Sequence, residues 1–132
     1  MLFHTNSHGP DEPALIRAFN KCIALSAALN NEFKICLSNK GALKANTIVN
    51  VFGVPFTKGL SSNTFRYRNI IVHLETKKIT VNNPMPALAI HMDNVFREDI
   101  ITRNNNENVV YVPWTEHELA DYLVQHPSSV SI

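Results

Sequence analysis

DEPALIRAFNKCIALSAALNN, residues 11 to 31, runs without a glycine and with a single early proline. Leu15, Phe19, Cys22, Ile23 and Leu29, with Ile16 and Ala27 beside them, recur at helical spacing and fall on one broad arc. Arg17, Asn20, Lys21 and Asn31 gather on the remaining side. Asp11 suits the cap of the first turn, Glu12 its positive end, and Pro13 an early helical position that needs no amide donor. The arc is wider than the stripe of a surface helix, so this helix should be covered on more than one side.

The flanks extend the pattern. Leu2-Phe3-His4 reads as a short strand running into a polar turn, and Phe33 to Leu37 as a second strand before the turn Ser38-Asn39-Lys40-Gly41. Ala45, Ile48, Val49 and Phe52 predict a helix over 42–52, stopped by Gly53 and Pro55. Strand, helix, strand, helix argues for a βαβα unit and a parallel sheet. Beyond a loop over 53–64, Phe65 to Leu74 reads as one strand, with Ile79 to Val81 as its hairpin partner. Ala87 to Met92 and Val109 to Val112 are further strands, and Asn94 to Ile101 a short helix. Thr115 and Glu118 form a capping box for a last helix that carries Leu119, Tyr122 and Leu123 inward, and 128–132 reads as a tail. Residues 1–132 are therefore expected to form a single three-layer α/β domain. Its sheet should be mainly parallel, of about five strands, in a flavodoxin-like order. An α+β arrangement around a hairpin over 65–81 is the alternative.

No apolar run approaches the roughly 20 residues of a membrane span. The start MLFHTNSHGP lacks the basic and apolar regions of a signal peptide, and Cys22 and Cys36 sit within apolar runs as reduced core residues. A cytoplasmic chain without membrane contact is expected. Its 16 asparagines mark turns and caps.

Parallel sheets bind ligands outside the carboxyl ends of their strands. The polar residues collected there, His4, Asn6, His8, Ser38, Lys40 and Asp93, are the candidate site for a small polar or anionic ligand. Catalytic signatures are missing: there is no nucleophile elbow around Ser7 and His8, no phosphate loop and no dinucleotide fingerprint. Glu75-Thr76-Lys77 resembles the E-x-K half of the PD-(D/E)xK nuclease motif, but no Asp or Glu lies between Phe33 and Leu74 to complete its metal site. The expectation is thus a binding module more than an enzyme, with no metal and no cofactor.

Charge is segregated along the chain. Residues 34 to 78 hold eight lysines and arginines against the single acid Glu75, and residues 93 to 121 hold seven acids against Arg97 and Arg103. The basic part supplies the alternative expectation, a nucleic-acid contact through Lys58, Arg66, Arg68, Lys77 and Lys78, with Phe65 and Tyr67 interleaved to stack bases. A self-associating interaction domain is the third reading. The surplus width of the first helix predicts a homodimer with Leu25 and Leu29 at its interface.

Overall fold

In the computed structural model, which describes residues 1–6 and 9–132, a central sheet separates two layers of helices. The elements follow in the order β1 (Leu2–His4), α1 (Glu12–Ala27), β2 (Glu32–Cys36), a 3-10 turn (Lys40–Lys44), α2 (Asn46–Phe52), α3 (Val54–Leu60), β3 (Thr64–Tyr67) and β4 (Ile70–Glu75). β5 (Ala87–Ile90), α4 (Asn94–Arg103), β6 (Val109–Val112), α5 (Glu116–Gln125) and β7 (Val130–Ser131) complete the chain. No helix among the described residues is long and apolar enough to cross a membrane.

Successive strand residues face opposite sides, and this divides the core in two. Phe33, Ile35, Leu88, Ile90, Val110 and Val112 meet Leu15, Phe19, Ile48, Phe56 and Leu60 of the helices α1, α2 and α3. Cys36, Ala87, Ala89, Val109 and Tyr111 meet Phe96, Ile100 and Ile101 of α4 and Tyr122 of α5. The three-layer α/β class follows directly from these two cores.

The strand order is β3-β4-β2-β5-β6-β1-β7, with every pair parallel except β3 and β4. Two expectations are corrected here. The sheet has seven strands instead of about five, and the order is not the flavodoxin one, which places the first strand between the second and third. Here β1 lies between β6 and β7, so α1 carries the chain past β6 and β5 to reach β2, three strand spacings or roughly 14 Å. Crossing several strands gives α1 its broad buried face of Ala14, Leu15, Ala18, Phe19, Cys22 and Ser26. α2 packs on its flank, where Asn50 donates to Glu12.

Other boundaries shift for local reasons. The helix expected over 42–52 is a 3-10 turn followed by α2, and the loop expected over 53–64 contains α3. Pro55 stands in the first turn of α3, where its missing amide costs nothing. The strand expected over 65–74 folds back at Arg68-Asn69 into β3 and β4, so the hairpin lies within it. Ile79 makes only an isolated bridge to Thr76. The tail at 128–132 supplies the edge strand β7, and the amide of Ile132 donates to the His4 carbonyl.

The connection from β4 to β5 has no helix. The middle of this strap, residues 76–86, is held to the sheet through a buried carboxylate. Glu75 Oε1 accepts from Lys34 Nζ at 3.0 Å, from the Val81 amide at 3.1 Å and from Arg103 Nη1 at 3.2 Å, and Arg103 Nη2 donates to Oε2. The Val81 carbonyl in turn accepts from Lys34 at 3.2 Å and Arg103 at 3.3 Å. Removing one partner of a buried pair leaves the other charge uncompensated. Glu75→Gln is expected to lower unfolding free energy by about 3–5 kcal/mol in urea titrations. Arg103→Ala should cost clearly less, since Arg103 keeps 23% of its side-chain exposure against 1% for Lys34 and Glu75.

Candidate functional site

The chain leaves β2 toward β4 on one side of the sheet and leaves β5 toward β6 on the other. The crevice outside the carboxyl ends of β2 and β5 is therefore the topological switch point where open α/β sheets receive ligands. Ser38, Asn39 and Lys40 follow β2 there, and His91, Met92 and Asp93 follow β5, with Ser38 Oγ donating to the His91 carbonyl at 3.4 Å.

Beside this crevice, between the segments that follow β2 and β4, a groove of about 720 Å³ opens, lined by Ser38, Asn39, Lys40, Asn63, Thr76, Lys77, Lys78 and Ile79. Each wall has a local cause. Asn39 caps the 3-10 turn by accepting from the Ala42 amide at 3.1 Å, and Lys40 Nζ donates to the Ser61 carbonyl at 2.8 Å, fastening that turn to the end of α3. The Thr76–Ile79 bridge closes a tight turn whose tip presents Lys77 and Lys78 to solvent. Lys77 pairs with Asp93 across the groove's rim. That hydrogen bond, with a second from the Phe96 amide, holds the Asp93 carboxyl below the usual aspartate range. Asp93 is thereby the cap of α4, and its charge is engaged within the chain.

The six residues expected to bind a ligand separate into two groups. Ser38, Lys40 and Asp93 flank the switch point. His4 and Asn6 lie beside β7, where His4 Nδ1 is 2.8 Å from Ser129 Oγ and Asn6 donates to Ser131 Oγ. Ser129 Oγ is also 2.8 Å from the Tyr122 hydroxyl. These contacts fasten β7 and α5 to β1, with β5 and β6 intervening before β2. His8 falls outside the described residues.

The alternative basic residues do not form one tract. Phe65 and Tyr67 face inward, with ring centroids 4.4 Å from Phe56 and 5.5 Å from Phe19, so neither ring is open to stack a base. Arg66 and Arg68 are exposed on the edge strand β3 and its turn. Antiparallel pairing puts Arg68 at the amino end of β4, while Lys77 and Lys78 lie beyond its carboxyl end. Of the expected interface pair, Leu25 is half-buried against the chain's own core and Leu29 is exposed beyond the end of α1. Of the wide arc, Ala14, Leu15, Ala18, Phe19 and Cys22 are buried within the chain, while Ile16, Ala27, Ala28 and Leu29 remain exposed.

A second polar cluster went unrecognised in the sequence. His91 has a left-handed backbone, φ 39°, and its ring stacks on Trp114 with centroids 4.7 Å apart and planes inclined by 6°. His91 Nδ1 lies 2.6 Å from Glu118 Oε1, and Glu118 Oε2 accepts from the Tyr111 hydroxyl at 2.8 Å. Burial first, then this carboxylate, raises the Tyr111 pKa. Behind Tyr111, the fully buried Arg97 sits 5.3 Å from the Tyr111 ring and 5.4 Å from that of Tyr122, while donating to Glu98 at 2.8 Å and Asn94 at 2.9 Å. In the sequence His91 falls inside the strand expected over 87–92, and Glu118 reads only as half of a capping box. Arg97 stands in the sequence only as one of two bases in an acidic stretch, and arginines are seldom fully buried.

The half-motif at Glu75-Thr76-Lys77 has both charged ends engaged, Glu75 by Lys34 and Arg103, Lys77 by Asp93. Among the described residues no group of three His, Cys, Asp or Glu side chains is placed to hold a metal ion.

Two measurements check these placements. Burial lowers the pKa of His4, so the unfolded chain takes up its proton more readily. Stability from neutral His4 is complete above the unfolded value of 6.5 and is lost as pH falls through it. Burial alone would raise the pKa of Glu75, but Arg103 and Lys34 outweigh it and hold the carboxyl below its ordinary 4.5. Its contribution is present above that value and lost at lower pH. Urea midpoints should therefore fall in two stages on acidification, and His4→Gln should remove the first. Arg66→Ala combined with Arg68→Ala should shift unfolding free energy by no more than about 0.5 kcal/mol, because both side chains are exposed.

Comparison of the chain with protein-family models, with curated proteins and with solved structures finds no match, so the chemistry of the site rests on its own residues.

Proposed function

We propose that this chain is a binding module for a small anionic ligand, held in the groove outside the carboxyl ends of β2 and β4. The observation that carries the reading is the composition of the groove. Lys40, Lys77 and Lys78 line it, with the neutral polar groups of Ser38, Asn39, Asn63 and Thr76, and there is no carboxylate among its described lining residues. Its volume lies within the range of ordinary ligand pockets, roughly 300–1,000 Å³. It lies at the carboxyl ends of parallel strands, the edge at which open α/β sheets receive ligands, one strand over from the switch point between β2 and β5.

Lysine ammonium groups act as compact point charges with rotatable donors. A carboxylate or phosphate in the groove would take charge-assisted hydrogen bonds from them, while Ser38, Asn63 and Thr76 supply the neutral contacts that orient its remainder. Lys77 would exchange part of its contact with Asp93 for the ligand. That pair is about half exposed, so loosening it costs little. The nucleic-acid alternative draws on Lys77 and Lys78 as well, but the occupied rings of Phe65 and Tyr67 remove its stacking platform.

Thermal unfolding against inorganic phosphate, a sugar phosphate, a nucleoside monophosphate and a dicarboxylate, each at millimolar concentration, tests the reading. At least one should raise Tm, since a ligand that binds only the folded state stabilises it by mass action. Lys77→Ala combined with Lys78→Ala should weaken that ligand at least tenfold by calorimetry while leaving the unliganded Tm within a few degrees. Failure of every anion to stabilise the parent, or equal binding by the double variant, would dismiss the proposal.

A further inference from the structure

A second groove adjoins the first at Lys40. It has a volume of about 310 Å³, lies between the 3-10 turn, α2 and α3, and is lined by Lys40, Leu43, Lys44, Val49, Val54, Thr57, Lys58 and Ser61. Its interior is apolar. Leu43 is buried, Val49 half-buried, and Val54 remains 49% exposed at the start of α3. Its rim is cationic. Lys44 and Lys58 make no ion pair among the described residues, and Lys40 spends one donor on the carbonyl of Ser61, itself a lining residue. The described lining holds no acid, as in the first groove.

An apolar trough rimmed by cations and opening beside a cationic groove selects for two properties joined in one molecule. We infer that the ligand is a soluble amphiphilic anion, a carboxylate or phosphate bearing an alkyl or aromatic body, with its head among Lys40, Lys77 and Lys78 and its body over Leu43, Val49 and Val54. This inference rests on the anion-binding reading of the first groove. A simple anion uses only that groove. An amphiphile also buries apolar surface in the second, and transfer of each methylene from water favours binding about three- to fourfold. The lysines on the trough's rim have apolar stems that lie along such a body while their heads stay in water.

The test is a homologous series of straight-chain carboxylates, from acetate through hexanoate and octanoate to decanoate, titrated by calorimetry below their micelle-forming concentrations, with inorganic phosphate as the head-only probe. Affinity should rise about three- to fourfold for each added methylene until the trough is full. Val54→Asp places a carboxylate in the trough at an exposed position, so folding should be intact by circular dichroism. It should abolish the chain-length dependence and leave phosphate binding unchanged. Lys77→Ala combined with Lys78→Ala should weaken both classes of probe. A flat response to chain length, with phosphate or other anions still bound, would overturn this inference and leave the anion-binding proposal standing. Absence of binding by every anion would end both. A chain-length dependence untouched by Val54→Asp would place the body elsewhere and overturn the inference too. Sedimentation with phosphatidylserine vesicles, in the absence of any response to free decanoate, would assign the two grooves to a membrane surface and against a single bound ligand.

Discussion

The buried carboxylate of Glu75 is the constraint on which the rest of the layout depends. A parallel connection usually returns over the sheet as a helix, which satisfies its own backbone. Residues 76–86 return as an extended strap, whose amides and carbonyls need partners from outside the segment. Glu75, Lys34 and Arg103 supply them at Val81, each from a different element: β4, β2 and α4. Burying the charges of Lys34 and Glu75 is expensive, and a well-packed apolar substitute would often be as stable. What the charged set contributes is position. With Val81 fixed on one side and the end of β4 on the other, the turn between them can present Lys77 and Lys78 only at the carboxyl edge of the sheet. The stability of the strap and the geometry of the candidate site are thus one problem, solved by one carboxylate.

How far this layout is legible in the chain depends on the range of the signal. β1 and β6 are apolar runs with clear ends, and the Thr115–Glu118 box opens α5 where it should, with the Glu118 amide 3.1 Å from Thr115 Oγ1. α3 was hidden because Gly53 and Pro55 are stop signals after one helix and start signals before the next. Gly53, at φ 82°, serves both roles at once. The turn between β3 and β4 was hidden because its left-handed position is Arg68, at φ 56°, where the usual signal is Gly or Asn. Strand order has no local signature at all. It emerges from how far α1 reaches across the sheet, and the same crossing explains the buried part of that helix's apolar arc.

Five of the 16 asparagines have a conformational cause. Seven described non-glycine residues have positive φ, and five of them are Asn31, Asn63, Asn105, Asn106 and Asn108. Left-handed backbone is costly for most side chains and tolerable for asparagine, whose short amide bonds locally. With four glycines in the chain, two of them, Gly9 and Gly53, at positive φ, asparagine takes over the turns that glycine would otherwise make. Asn104 has a different task. Its amide nitrogen donates to the carbonyls of Met85 at 2.6 Å and Glu107 at 3.3 Å, joining the end of the strap to the turn before β6.

Charge segregation along the chain becomes segregation in space because the sheet has two faces. The helices α4 and α5 carry most of the acids of residues 93 to 121, and several of these have side-chain partners nearby. Glu98 meets His126 and Arg97, Asp99 meets Arg103, Glu118 meets His91, and Asp121 meets His117. The opposite layer carries Lys44 and Lys58 on the 3-10 turn and α3, and residues 33 to 74 contain no acid to answer them. A long-range field is set by charges that remain uncompensated, so the near-neutral total of +1 understates the potential on the lysine side. Both grooves open on that side, and the ion pair of Lys77 with Asp93 marks where the two layers meet. The fold therefore engages Glu98 and Asp99 with its own arginines, and Glu75 and Asp93 with Lys34 and Lys77, while Lys44 and Lys58 make no ion pair among the described residues.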